Sequence, residues 1–282
     1  MMENLLELRE VSFAYEEGRE ALKKLSVKIR RGEKIAVLGE NGAGKSTFFL
    51  LCNGVLTPTA GEIRYSGQPV GKSRKDKLRL RQRVGIVFQE PDRQILAATV
   101  GEEISFGPLN LGLSREEAAC RVEEALRRMN LAEFRDRAPH YLSGGEKKRV
   151  TIADILAMKP EVLLFDEPAS SLDPANAALL ERTLGELSQE GMTLAVSTHD
   201  VNFAWKWAER ALVFAGGELL ADGEPAQIFS DDSLLAKAGL KKPLLFEAGE
   251  ILRRAAPGRD FPIPRSIEEF RAWAESASFV SG

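Results

Sequence analysis

Lys34-Ile35-Ala36-Val37-Leu38 runs directly into Gly39-Glu40-Asn41-Gly42-Ala43-Gly44-Lys45-Ser46-Thr47. The first five residues form a short apolar run entered after Gly32, which fits a strand buried on both faces of a parallel sheet. Ser46 to Asn53 has helical composition, so the glycine-rich turn lies between a strand and a helix. Glycines at these places let successive backbone N–H groups curl around phosphate oxygens, and the helix start adds the positive end of its dipole. Lys45 is expected to reach the β- and γ-phosphates of a nucleotide, and the Ser46 hydroxyl to ligate Mg²⁺. A glycine turn that merely caps a helix needs neither the lysine nor the hydroxyl.

A second apolar run, Val162-Leu163-Leu164-Phe165, delivers Asp166 and Glu167 to a strand end. In open α/β sheets ligands collect beyond the carboxyl ends of the strands. Asp166 is expected to support Mg²⁺ through water, and Glu167 to polarise the water that attacks the γ-phosphate. An isolated acidic pair after apolar residues is often only a strand end meeting solvent; beside a phosphate loop the chemical reading prevails. His199 follows the strand Leu194-Ala195-Val196-Ser197 and precedes Asp200, where a neutral imidazole can sense the γ-phosphate and help place the water. The candidate catalytic set is Glu167, His199 and Lys45; the other histidine, His140, is assigned no role.

The rest of the chain supplies the frame. Strands are expected at 5–13, 25–29, 84–88 and 193–197, with hairpins around Ser66-Gly67 and Gly216-Gly217. Helices are expected at 115–129, opened by a capping box of Ser114 and Glu117, then at 145–158 and 175–190. The alternation argues a largely parallel α/β core with a helical insertion at about 90–158. The net charge of the 282 residues is 39 − 42 = −3, which gives no field drawing the chain to nucleic acid. Lys72 to Arg83 holds seven basic residues among twelve, yet no aromatic interrupts them, so a solvated helix or loop, or one facing membrane phosphates, is expected. Cys52 and Cys120 fit no metal spacing and read as reduced core thiols. The opening Met1-Met2-Glu3-Asn4 has no basic region leading into an apolar stretch, so no signal peptide is expected. No apolar run approaches the roughly 18 residues needed to span a bilayer, so work at a membrane would require another subunit.

Leu142-Ser143-Gly144-Gly145-Glu146 lies between these motifs, with Ser143 23 residues before Asp166. With that placement the chain resembles the ABC transporter ATPases over about residues 3–230. The resemblance implies a phosphate-loop NTPase cassette with a mixed, mainly parallel sheet, an antiparallel β subdomain and a helical subdomain. It implies two cassettes paired head to tail around two ATP molecules, as a homodimer or with a related ATPase. Gly39 to Thr47, Gln89 and Asp166 would then bind ATP and Mg²⁺, Tyr15 would stack on adenine, and Ser46, Gln89 and Asp166 would serve the metal. Ser143, Gly144 and Gly145 would reach the partner's γ-phosphate, and Asp173 in Ser171-Leu172-Asp173 would contact the opposite protomer.

Gln89-Glu90-Pro91-Asp92-Arg93-Gln94-Ile95-Leu96-Ala97, the run Thr99 to Leu113, and Gly145 to Val150 resemble the energy-coupling-factor importers, closest to their cobalt/nickel branch. Arg93 and Ala169-Ser170-Ser171 depart slightly from that pattern. The implied function is an ATPase at the cytoplasmic face of the membrane, with a transmembrane coupling protein and a substrate-binding membrane subunit as partners. The alternatives are the shared ATPase of a vitamin importer, or a soluble ABC ATPase acting on nucleic acid or ribosomes. Residues 1–235 would form the cassette and 236–282 an extension, in which Ser266-Ile267-Glu268-Glu269 opens a short helix with Ile267, Phe270 and Ala274 on one side. That helix either joins two ATPase subunits or packs on its own cassette.

Overall fold

The computed structural model describes residues 3–276 apart from 17, 19, 171 and 256–261. The amino-terminal part contains β1 (Asn4–Ala14), β2 (Glu20–Arg30), β3 (Lys34–Leu38), α1 (Lys45–Cys52), β4 (Ala60–Tyr65), β5 (Gln68–Pro69), α2 (Arg74–Arg83) and β6 (Val84–Val87). The insertion that follows carries α3 (Val100–Asn110), α4 (Arg115–Arg128) and α5 (Gly144–Ala157). The chain then returns through β7 (Val162–Asp166), α6 (Pro174–Gln189), β8 (Thr193–Thr198), α7 (Val201–Trp207), β9 (Arg210–Ala215) and β10 (Glu218–Gly223). Its carboxyl-terminal part consists of α8 (Pro225–Ser230), α9 (Asp232–Lys237), α10 (Leu244–Ala255) and α11 (Ile267–Ser276).

Among the described residues the central sheet has the order β10-β9-β3-β8-β7-β6, with only the β9–β10 pair antiparallel. Strands β3, β6, β7 and β8 are almost wholly buried because both faces are covered, their side chains alternating between cores on opposite faces, whereas the edge strand β10 is half exposed. Ile35 and Val37 enter the core shared with the antiparallel sheet, whereas Ala36 and Leu38 enter the core under α7 to α10. Val162 and Leu164 likewise face the first core, and Leu163 and Phe165 face the helical insertion.

The smaller sheet, β2-β1-β4-β5, is antiparallel. Strand β2 starts five residues before the expected Leu25, because bulges break its two-residue period. Glu10 and Lys24 take left-handed backbone angles, and their amides bond to the hydroxyls of Ser26 and Ser12 instead of the ladder. Both expected hairpins are present, with positive φ at Ser66, Gly67, Gly216 and Gly217. The basic segment forms the solvated helix α2, capped by Ser73 and tied down through Arg81 and Arg83. Cys52 is in the core, where burial pushes its thiol up, but Cys120 is not: it lies on the exposed face of α4, whose buried face is Ala118, Val122, Ala125 and Leu126.

The carboxyl-terminal segment closes onto its own cassette. Phe246 is buried edge-on against Trp205 at 4.9 Å, in the same core as Leu38 and Val213. The Trp205 indole donates to the Pro264 carbonyl at 2.8 Å, while the Arg265 guanidinium lies over the same ring and donates to the Ala208 carbonyl. On α11, Ile267 is exposed and Trp273 is buried, so the covered face is turned from the one the sequence suggested. The side chain of Ala274 lies outside the described residues, as does Ser171.

Candidate active site

The ends of β3 and β7 bring the glycine-rich turn and the acidic pair together at the carboxyl edge of the sheet. Gly39 and Gly44 allow the tight approach. A Cβ on Gly39 would strike the Phe214 carbonyl, and one on Gly44 would meet Leu22 and the Ala21 carbonyl. Beneath the turn the buried Lys45 ammonium donates to the carbonyls of Gly39 (2.7 Å) and Glu40 (3.2 Å) and lies 3.3 Å from Glu167 Oε1. A cavity of about 400 Å³ opens over it. Tyr15, Glu40, Asn41, Gly42, Gly44, Lys45, Ser46, Thr47, Gln89 and Glu167 line it, with Gly39 and Ala43 in the same turn. Tyr15 stands at the mouth, 44% exposed, its hydroxyl 3.1 Å from Thr47 Oγ1 and its ring edge-on to Phe13.

The acidic pair is held by a residue the motifs did not disclose. Ser197, at the end of neighbouring β8, donates to Asp166 Oδ1 at 2.6 Å and accepts from the Glu167 amide at 2.9 Å. One hydroxyl thus holds the Asp166 carboxylate and the Glu167 backbone together while Glu167 adopts φ of 43°, which turns its side chain off the strand line. Its Oε2 lies 2.9 Å from His199 Nδ1, so the exposed imidazole stands on the solvent side of the carboxylate. Ser170 adds a hydrogen bond to the Glu167 carbonyl at 2.7 Å. Lys23, Gly216 and Gly217 also line the cavity; the sequence marked the two glycines only as a hairpin turn.

Ser143, Gly144, Gly145 and Asp173 do not line this cavity. Ser143 caps α5 in a reciprocal box with Glu146, whose carboxyl is held below its usual range by the Ser143 backbone and side chain. Ser143 and Gly144 are exposed, leaving that helix start open to an anion from outside the subunit. Gly145 is pressed against α6: a Cβ there would collide with Asn176, which itself bonds to the α6 cap Asp173.

The segment after Gln89 is tied to the helical insertion. Gln94 accepts from the Phe88 amide and donates to the Thr151 carbonyl, and the amides of Leu96 and Ala97 bond to the buried Glu103 carboxylate at 2.8 and 2.7 Å. Close by, burial and then the charge of Glu103 push the Asp154 carboxyl up to about 7, against the opposing bond from Gln94. A carboxyl raised from about 4 to about 7 on folding holds its proton more tightly in the native state, so its contribution to stability falls as pH rises through that window. Asp154→Asn is therefore expected to flatten the stability profile between about pH 5 and pH 7 and to gain about 1–3 kcal/mol at pH 8. Urea midpoints at the two ends would check this, and a slope equal to that of the unaltered chain would refute it.

An edge built to hold a polyphosphate and to activate a water beside it belongs to the phosphate-loop nucleotide triphosphatases. Comparison with known proteins narrows that class. Residues 22–170 match the family model for ABC transporter. The energy-coupling factor transporter ATP-binding protein EcfA of Methanothermobacter thermautotrophicus is 47% identical over 265 residues, 94% of this chain and 85% of the relative. The cobalt import ATP-binding protein CbiO of Rhodobacter capsulatus is 46% identical over 272 residues, 96% of this chain and 97% of the relative. Among solved structures, CbiO1 of Clostridium perfringens, part of the transporter complex cbiONQ, superposes with a TM-score of 0.74 at 37% identity, covering 89% of this chain and 99% of its own. A dimeric cassette in a post-hydrolysis state with ADP and Pi gives 0.70 at 30% identity, covering 78% and 99%. The chain belongs to the ABC transporter family of ATP-binding subunits, ATPases whose hydrolysis is coupled to transport. No helix among the described residues is long and apolar enough to cross a membrane.

Proposed function

We propose that this chain is the ATPase of an energy-coupling-factor importer for cobalt or nickel ions. It would be held peripherally at the cytoplasmic membrane face by a transmembrane coupling protein, with a substrate-binding membrane subunit choosing the cargo. The carrying observation is the apolar surface beside the Gln89 loop. Leu96 is 84% exposed and Phe106 62% exposed, and Glu103 fixes the backbone of the first to the helix that carries the second. Exposed apolar residues on such a rigidly tied loop suit a partner helix. Near-complete overlap with a relative named for cobalt import favours the metal cargo. Relatives named for the energy-coupling factor alone, with no cargo in the name, favour a shared ATPase of a vitamin importer as the second reading.

Two cassettes would pair head to tail, each ATP lying between Lys45, Asp166, Glu167 and His199 of one and Ser143, Gly144 and Gly145 of the other, with Asp173 at the seam. The donors offered by Ser46, Gln89 and Asp166 are all oxygen, and no cluster of three or more His, Cys, Asp or Glu suited to a metal occurs among the described residues. That fits Mg²⁺, which takes hard oxygen ligands, few of them from protein and the rest from phosphate and water. When bound it neutralises charge on the phosphates. Lys45 would hold the γ-phosphate, Glu167 would take the proton of the attacking water, and His199 would keep the carboxylate aimed.

Purification of the tagged chain from detergent-solubilised native membranes should bring down small polytopic membrane proteins. Uptake of radiolabelled Co²⁺ or Ni²⁺ in cells should require an intact Glu167. Co-purification with ribosomes or nucleic acid and no membrane subunit would overturn the transport reading.

A further inference from the structure

Lys148 lies in the second turn of α5, 2% exposed, and its ammonium donates to the carbonyls of Phe88 (2.8 Å) and Gln89 (2.7 Å). A helical lysine ordinarily lets its stem cover apolar surface and its charge reach water. Burial penalises the charged head unless hydrogen bonds replace the water it loses, and here two carbonyls do so where β6 ends and the Gln89 loop begins. Neighbouring positions on α5 hold the same loop. Lys147 Nζ is 2.7 Å from Asp92 Oδ1, and the Thr151 carbonyl accepts from Gln94. The start of α5 is Ser143 to Gly145, about 6 Å along the axis from Lys148 at the usual helical rise.

We propose that Lys148 is a positioning residue that makes the Gln89 loop and the Ser143–Gly145 turn move as one body. The state of the nucleotide facing Gln89 in one subunit is thereby passed to the turn which that subunit offers to its partner's nucleotide. The inference rests on the proposed roles of Gln89 and of Ser143 to Gly145. Lysine suits the task because one flexible stem presents three donors to two adjacent carbonyls, which no apolar side chain can satisfy. The Lys147–Asp92 pair, half in solvent, contributes less.

The test compares Lys148→Met, which keeps the apolar stem, with Gln89→Ala and the double variant, in full-length dimers assayed for ATP hydrolysis and isolated subunits assayed for ATP binding. K148M is expected to lower kcat about 10- to 100-fold, with subunit affinity for ATP unchanged within about twofold. The double variant should fall no further than the worse single one, since both act through one loop. Lys148→Arg, which keeps a charged donor, should recover part of the loss; if K148M does not fold, Lys148→Gln, whose shorter amide keeps a neutral donor, should lower kcat in the same direction by a smaller factor, with ATP affinity unchanged. Unaltered kcat in K148M overturns the proposal, as does a double variant whose losses multiply. A fall in ATP affinity and melting temperature that accounts for the whole loss would make Lys148 merely structural and also overturns it. Unaltered activity in Q89A would remove the role assigned to Gln89; a deficit in K148M alone would then show that Lys148 acts elsewhere, which overturns the coupling too.

Discussion

Glu167→Gln is expected to lower steady-state ATP hydrolysis by about 10³-fold while ATP binding stays within about threefold. Glutamine keeps the size of the side chain, so the backbone turn at φ of 43° and the bond its amide donates to the Ser197 hydroxyl survive. It cannot accept the water's proton, and removal of a positioned general base typically costs 10²–10⁴ in rate. The substitution also removes the negative partner of Lys45 at 3.3 Å, which leaves the ammonium freer to hold phosphate. Binding should therefore hold or tighten while turnover stops. Because ATP would join the two cassettes and hydrolysis release them, the variant should accumulate as an ATP-bound pair. Light-scattering mass with and without ATP, beside single-turnover hydrolysis, measures both effects. Turnover within tenfold of the unaltered chain would remove Glu167 from the base role and shift attention to His199, whose Nδ1 lies 2.9 Å from the same carboxylate.

The parts of this site legible in the sequence are those whose chemistry forces a local spacing. A phosphate cradle needs its glycines, lysine and hydroxyl within nine residues, and a strand ending in Asp166-Glu167 needs only its own apolar run. What escaped reading depends on chain segments far apart. Ser197 looks like any strand serine until β8 lies beside β7 and puts it under Asp166. Lys148 follows Lys147 in a charged stretch that reads as a solvated helix face, and only the fold shows Lys147 reaching the exposed Asp92 and Lys148 wholly inside. The short α7 gives too few turns for a periodic signal, and its key contact, Trp205 to Pro264, spans 59 residues. The cassette's central strands were legible because burial on both faces leaves an unbroken apolar run, whereas the bulges at Glu10 and Lys24 hid the start of β2.

Lys45→Ala should weaken ATP binding by about 10²-fold or more and abolish hydrolysis. The ammonium is placed by the turn itself, through the Gly39 and Glu40 carbonyls, so its position is set by backbone rather than by chance of rotamer. Hydrogen bonds to a charged partner contribute about 1.5–3 kcal/mol each, and a lysine that contacts two phosphates loses two when truncated. That sum, about 3–6 kcal/mol, corresponds to about 10²–10⁴ in affinity. The loss should be largest for ATP, smaller for ADP and smallest for AMP, because the missing contacts lie on the outer phosphates. Lys45→Arg should rescue little: the cradle admits no added bulk at Gly39 or Gly44, and a planar guanidinium cannot take a point charge's place beneath it. Titration calorimetry with the three nucleotides separates the possibilities. An equal loss for all three would mean that the turn has collapsed, and affinity for ATP within threefold of the unaltered chain would mean that Lys45 does not touch the outer phosphates at all.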